Sequence, residues 1–188
     1  MNRPTAILDA CVLYPAPLRD LLLNLGANGL FIPKWSEAIQ SEWTKNLLKN
    51  RPELSPGKLQ RTVDLMNMAF PDANVEGFEA LAQGLKLPDT GDHHVLAAAI
   101  RCKANVIVTS NLQDFPLDYL AGFDMEVLHP DRFVCNLIYH APETCIKALN
   151  DQAGRLKNPP QTAVDVLGHL EKNGLEEAVK RYRELLAA

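Results

Sequence analysis

Apolar residues fall along this chain in two rhythms. Short consecutive runs have the length and residue types of buried strands: Ala6-Ile7-Leu8 after Thr5, Leu30-Phe31-Ile32, Val106-Ile107-Val108 within Asn105 to Thr109, and the stretch from Phe123 to Leu128. Between them, apolar positions recur three or four apart, as helices require. Examples are Leu18, Leu21, Leu22 and Leu25; Ile39, Trp43 and Leu47; Leu59, Val63, Met66 and Phe70; and Phe78, Leu81 and Leu85. A further helix runs from the loop Leu87-Pro88-Asp89-Thr90-Gly91-Asp92 to about Lys103. Breakers punctuate the pattern. Pro15 and Pro17 follow the first strand, Gly26 or Gly29 ends the first helix, Pro33 stops the second strand, and Pro52, Ser55-Pro56-Gly57 and Pro71 mark turns. Ser36 is placed to cap the helix that carries Trp43. Asp89 is placed to cap the later one, with Asp92 in the position of a capping-box acid. Strands alternating with helices imply an α/β/α sandwich with a mainly parallel sheet, followed by C-terminal helices.

The character changes after residue 135. Residues 136–188 read as three helical pieces, broken at Pro142 and at Lys157-Asn158-Pro159-Pro160, with Gly174 between the last two. The chain thus divides into an α/β unit, 1–135, and a helical extension, 136–188.

A chain of 188 residues with 47% hydrophobic and 22% charged residues can bury a sizeable core as a soluble globular protein. No apolar run approaches the roughly 18 residues of a membrane span. Met1-Asn2-Arg3-Pro4 leads directly into a strand and lacks the regions of a signal peptide. Cys11, Cys102, Cys135 and Cys145 form no CxxC pair, and read as reduced thiols in a cytoplasmic protein rather than as zinc ligands. The net charge of −4 argues weakly against a nucleic-acid partner. Its distribution qualifies that. Residues 34–61 hold six basic side chains, among them Lys34, Lys45 and Lys49, against three acidic ones. Such a run is most simply a solvated helix face, and alternatively a rim that holds phosphates.

Four acids carry the candidate chemistry: Asp9, Glu42, Asp92 and Asp114. Asp9 and Asp114 follow apolar strands, and Asp92 opens a helix. In parallel α/β sheets these positions face the strands' carboxyl edge, where ligands bind. Glu42 joins them only if its helix packs beside the first strand. Each acid alone has an ordinary explanation, as a cap or a solvated helix residue. Together they make a carboxylate pocket that repels itself unless hard cations occupy it. Metal-assisted phosphodiester hydrolysis suits such a pocket, because Mg²⁺ needs only a few carboxylates and keeps several waters.

The motifs Leu8-Asp9-Ala10-Cys11-Val12-Leu13, Glu42, Asp89-Thr90-Gly91-Asp92 before Leu96-Ala97-Ala98-Ala99, and Val108-Thr109-Ser110-Asn111 before Asp114-Phe115 resemble the successive motifs of PIN domains. The likeness spans about residues 5–130. It implies a ribonuclease dependent on Mg²⁺ or Mn²⁺, and specifically a VapC-type toxin of a toxin–antitoxin pair, in a larger subgroup with a helical extension. It implies metal binding by Asp9, Glu42, Asp92 and Asp114, with Asp89 as an accessory acid. It also implies that Thr109 and Asn111 support the last carboxylate by hydrogen bonds. RNA is the implied substrate, a cognate antitoxin the implied partner, and a homodimer the usual assembly.

Other readings compete. A housekeeping RNA-processing nuclease or a non-catalytic PIN-like binding module would share the fold, although the second should have lost acids that are present here. A haloacid-dehalogenase-like phosphatase also ends its first strand in Asp, but needs an acid two residues later, where this chain has Cys11. Asp92-His93-His94 is too short a match to indicate a DHH phosphoesterase. Adjacent helical histidines point about 100° apart, so at most one of them lines a groove there.

Overall fold

The structure is a computed structural model and describes residues 3–187. Its strands are β1 (Thr5–Leu8), β2 (Ile32–Lys34), β3 (Val106–Val108) and β4 (Glu126–Leu128). They pair in parallel in the order β2-β1-β3-β4. In the register, Leu8 stands beside Val108 and Val108 beside Leu128. Ala6, Ile7 and Leu8 are all fully buried, as are Ile107 and Val108. Successive side chains of a strand point to opposite faces, so helices must cover both sides of the sheet. This is the expected α/β sandwich.

Two strands differ from their expected bounds. The second does not stop at Pro33 but runs through it, with Ala6 opposite Pro33. β2 is the edge strand, where a residue without an N–H is tolerated. The last strand begins only at Glu126, because Ala121–Phe123 forms a 3₁₀ turn and Asp124 takes a left-handed conformation at φ 53°.

The first helices are α1 (Ala10–Leu13), α2 (Ala16–Ala27) and α3 (Glu37–Asn50). After α2, Gly29 turns the chain with φ +77°, a conformation that suits glycine. Ser36 caps α3 as expected, its hydroxyl accepting from Ile39 N–H at 3.2 Å. There follow α4 (Pro56–Ala69), α5 (Glu79–Ala82), α6 (His93–Arg101) and α7 (Leu117–Leu120). α6 packs on β1 and β3, and α3 packs on α1 and α6. That packing decides where Glu42 goes.

The extension comprises α8 (Pro130–His140), α9 (Pro142–Arg155), α10 (Ala163–Glu171) and α11 (Glu176–Ala187). α8 starts at Pro130, so it spans the expected join at residue 135, and the tail has four helices where three were read. α9 lies along α2, and Gln152 Nε2 donates to the carbonyl of Pro17 at 3.0 Å. α11 packs on α8, where Asp131 accepts from the N–H groups of Glu177 and Ala178 at 3.2 and 2.8 Å. Leu149, Leu167, Leu170, Val179 and Tyr182 belong to the same continuous core as the sheet. Among the described residues, no helix is long and apolar enough to cross a membrane.

Candidate active site

The connections from β1 and β3 leave in opposite directions across the sheet, which creates a crevice between their carboxyl ends. Asp9 occupies it. Its N–H donates to the Val108 carbonyl at 3.1 Å, which continues the ladder one residue past the strand. The backbone then turns into α1, with Asp9 as N-cap. Asp9 Oδ1 accepts from Ala10 N–H at 2.6 Å. Oδ2 accepts from Thr109 Oγ1 at 2.7 Å and from the Cys11 thiol at 3.1 Å. A carboxylate offers about four lone-pair sites, so three donors leave Oδ1 with one to spare. Asp9 is 3% exposed. Burial raises its pKa; the bonds from Thr109, Cys11 and Ala10 pull it back, and the charge of Glu42 raises it again.

Thr109 therefore supports the first carboxylate and not the last, which corrects the expectation that it serves Asp114. The reason is register: Thr109 follows Val108, whose partner Leu8 precedes Asp9. Asn111 contributes its backbone N–H to Thr109 Oγ1 at 3.0 Å. With that acceptor site taken, the hydroxyl hydrogen of Thr109 is free to point at Asp9.

Cys11 completes this network, a role the sequence did not assign to it. Its thiol donates to Asp9, lies 3.3 Å from Thr109 Oγ1 and accepts from Ser110 N–H at 3.2 Å. Burial first, then the adjacent Asp9, push the thiol pKa up to about 12. Cys11 thus remains a protonated hydrogen-bond donor. The available signal was its place two residues beyond a strand-end acid.

Asp92 lies at the start of α6. Asp89 caps the preceding 3₁₀ turn, Thr90–Asp92, by accepting from Gly91 N–H at 2.7 Å. The expected capping box does not form. The 3₁₀ turn makes Asp92 the N-cap residue of α6, and its side chain makes no capping bond. The carboxylate stands half-buried and uncommitted. Burial, followed by the charges of Asp9, Asp114, Asp89 and Glu42, raises its pKa to about 6. The other candidate acids are all near enough to act on it. Asp114 closes the 3₁₀ turn Leu112–Asp114 beyond β3. Glu42 arrives on α3, the approach that sequence left open, and its Oε2 lies 3.2 Å from His94 Nε2. His93 is turned away and accepts from Leu87 N–H at 3.3 Å.

The donors are hard oxygens, which suits Mg²⁺ or Mn²⁺. Among the described residues, no three His, Cys, Asp or Glu side chains form a ready-made metal cluster. Asp9, with its spare Oδ1 site, and the unbonded Asp92 would hold such an ion, with Asp114 and Glu42 at its rim.

Of the three candidate lysines, Lys45 and Lys49 are exposed on α3, three and seven residues beyond Glu42 and hence on the same face. Lys34 is half-buried and donates to the Asp72 carbonyl. A cavity of about 950 Å³ lies at the opposite edge of the sheet, beside Pro4, Asn105 and Glu126.

Residues 130–184 match the model of the VapC50 C-terminal domain. The chain is also 36% identical, over 92 residues, to a Mycobacterium tuberculosis protein described as "Putative ribonuclease VapC50". That match covers 49% of this chain and 54% of the relative, so it spans about half the relative's length. No solved structure matches. The first match begins where α8 begins, and the sheet ahead of it is parallel with acids gathered at its carboxyl edge. The chain is thus similar to VapC50-type proteins in its C-terminal helices and over about half the length of the relative it matches.

Proposed function

We propose that the protein is an endoribonuclease that depends on Mg²⁺ or Mn²⁺ and acts as the toxin of a toxin–antitoxin pair. The observation that carries this reading is the placement of Asp9 and Asp114 beyond the ends of β1 and β3 and of Asp92 at the start of α6, where the charges of Asp9, Asp114, Asp89 and Glu42 all raise the pKa of Asp92. The likeness to a relative described as a ribonuclease supports the choice of RNA. A bound divalent ion would supply water activation and charge neutralisation at the phosphate.

The chain's own residues have separate tasks. Ala10, Cys11 and Thr109 fix Asp9 in one rotamer, so the buried carboxylate needs no reorganisation when it engages a cation. Asp92, free of internal bonds, supplies its oxygens. Lys45 and Lys49 extend a positive stripe from Glu42 along α3, suited to the phosphates of a strand that crosses the site. A toxin requires restraint in its host cell, and a cognate antitoxin that covers this acidic crevice would provide it.

The test is cleavage of single-stranded RNA by purified protein. Cleavage should require Mn²⁺ or Mg²⁺, stop with a chelator and vanish in Asp9→Asn. Robust cleavage in the presence of chelator, retained by Asp9→Asn, would refute the proposal.

A further inference from the structure

We propose that His94 is a positioning residue that holds Glu42 toward the metal-binding acids; this rests on the metal-site reading above. Glu42 sits on the solvent side of α3, its side chain 44% exposed. A glutamate there ordinarily samples many rotamers. Its helix α3 packs on α1 and α6, which Asp9 and Asp92 cap, and its charge raises the pKa of both acids. Among the described residues no lysine or arginine pairs with it; the partner is His94, Nε2 to Oε2 at 3.2 Å, with the imidazole side chain 23% exposed.

The ring's geometry indicates which atom works. A carboxylate only accepts, so Nε2 carries the hydrogen that joins the two. Nδ1 is buried and has no partner. The bond to Glu42 is therefore the hydrogen bond that orients the imidazole. His94 lies two residues after Asp92 on the same helix start, so one turn of α6 presents a metal-binding carboxylate and a clamp for a second one. His93, bound to the Leu87 backbone, cannot substitute. Hydrogen-bond partners that orient metal-binding side chains change metal affinity by about 10- to 100-fold when removed.

The chemistry of the two nitrogens supplies the test. A glutamine at position 94 can place its amide nitrogen near that of Nε2, whereas the shorter asparagine reaches only to Nδ1. Mn²⁺ is titrated by calorimetry into the full chain as wild type, His94→Gln, His94→Asn, His94→Leu and Asp92→Asn. Asn and Leu should weaken Mn²⁺ binding about tenfold. Gln should bind within about threefold of wild type, a rescue that a merely structural role would not produce. If Asp92→Asn loses Mn²⁺ while Asn and Leu at 94 bind like wild type, His94 positions nothing and the metal site stands. If wild type and Asp92→Asn bind Mn²⁺ equally, the metal-site reading falls, and the role of His94 with it.

Discussion

Thr109 Oγ1 donates a 2.7 Å hydrogen bond to Asp9 Oδ2, tying together two residues 100 positions apart at the ends of adjacent strands. Both are buried, Thr109 completely. Thr109→Val keeps the shape of the side chain and removes the donor, leaving a desolvated carboxylate oxygen with only the weaker thiol. The expected cost at neutral pH is about 1–3 kcal/mol. Chemical denaturation measures it; an unchanged midpoint would show that the bond contributes nothing.

Asp92 predicts a pH dependence of the opposite sense to a salt-bridged acid. Its pKa in the folded chain, about 6, lies above the ordinary value of 3.8. The folded state therefore holds that proton more tightly than the unfolded state. The resulting stability is fully present below about pH 4 and is lost as pH rises through about 6. Asp92→Asn, studied with chelator, should stabilise the protein at pH 7.5. The gain should be on the order of 1 kcal/mol, since the group is only half-buried and solvent screens the repulsion. At pH 4 the gain should disappear. Thermal melts at both pH values test it, and destabilisation at pH 7.5 would contradict it.

All four thiols are shifted upward. Burial is the leading cause for each, with Cys11 and Cys145 reaching about 12. Native protein at pH 8 should resist iodoacetamide, while unfolded protein should be alkylated at every cysteine, as read by mass spectrometry. Rapid native modification of Cys11 would show that its thiol is not held as described. Cys11→Ser should preserve metal binding better than Cys11→Ala, because a hydroxyl can still donate to Asp9.

Trp35 and Trp43 are the chain's two tryptophans, and both are buried within the α/β part. Leu149 is buried on α9, in the tail. If the core is continuous, Leu149→Ala destabilises the tryptophan-reported transition by about 2–5 kcal/mol. An unmoved tryptophan transition would mean that the tail unfolds separately.

Much of this was legible in the sequence because one residue type enforced one geometry. Ser36 had to cap a helix, and three consecutive β-branched residues at Val106 had to form a buried strand. Pro33 misled because its effect depends on whether a strand is central or at the edge, which only the assembled sheet decides. The acids were legible as strand ends and helix starts. Their partners were not. Thr109 serves Asp9 through strand register, and Glu42 meets His94 through the packing of α3 on α6. Neither relationship leaves a local pattern. Cys11 was hidden for another reason: a buried thiol usually packs, and here it also donates.

Salt dependence tests the substrate path. If Lys45 and Lys49 each meet a phosphate, Lys45→Ala should lower the slope of log affinity against log salt by about 0.7 for single-stranded RNA. Binding measured in Ca²⁺ from low to high salt gives the slope, and no change would remove α3 from the path.

The proposed function requires the acids at the β1–β3 crevice to bind a catalytic divalent ion. Anomalous scattering from crystals soaked in Mn²⁺ addresses it most directly. A manganese peak should appear within bonding distance of Asp9 and Asp92 and be lost in Asp92→Asn crystals. Absence of any peak in the crevice, at Mn²⁺ concentrations that support RNA cleavage in solution, would contradict it.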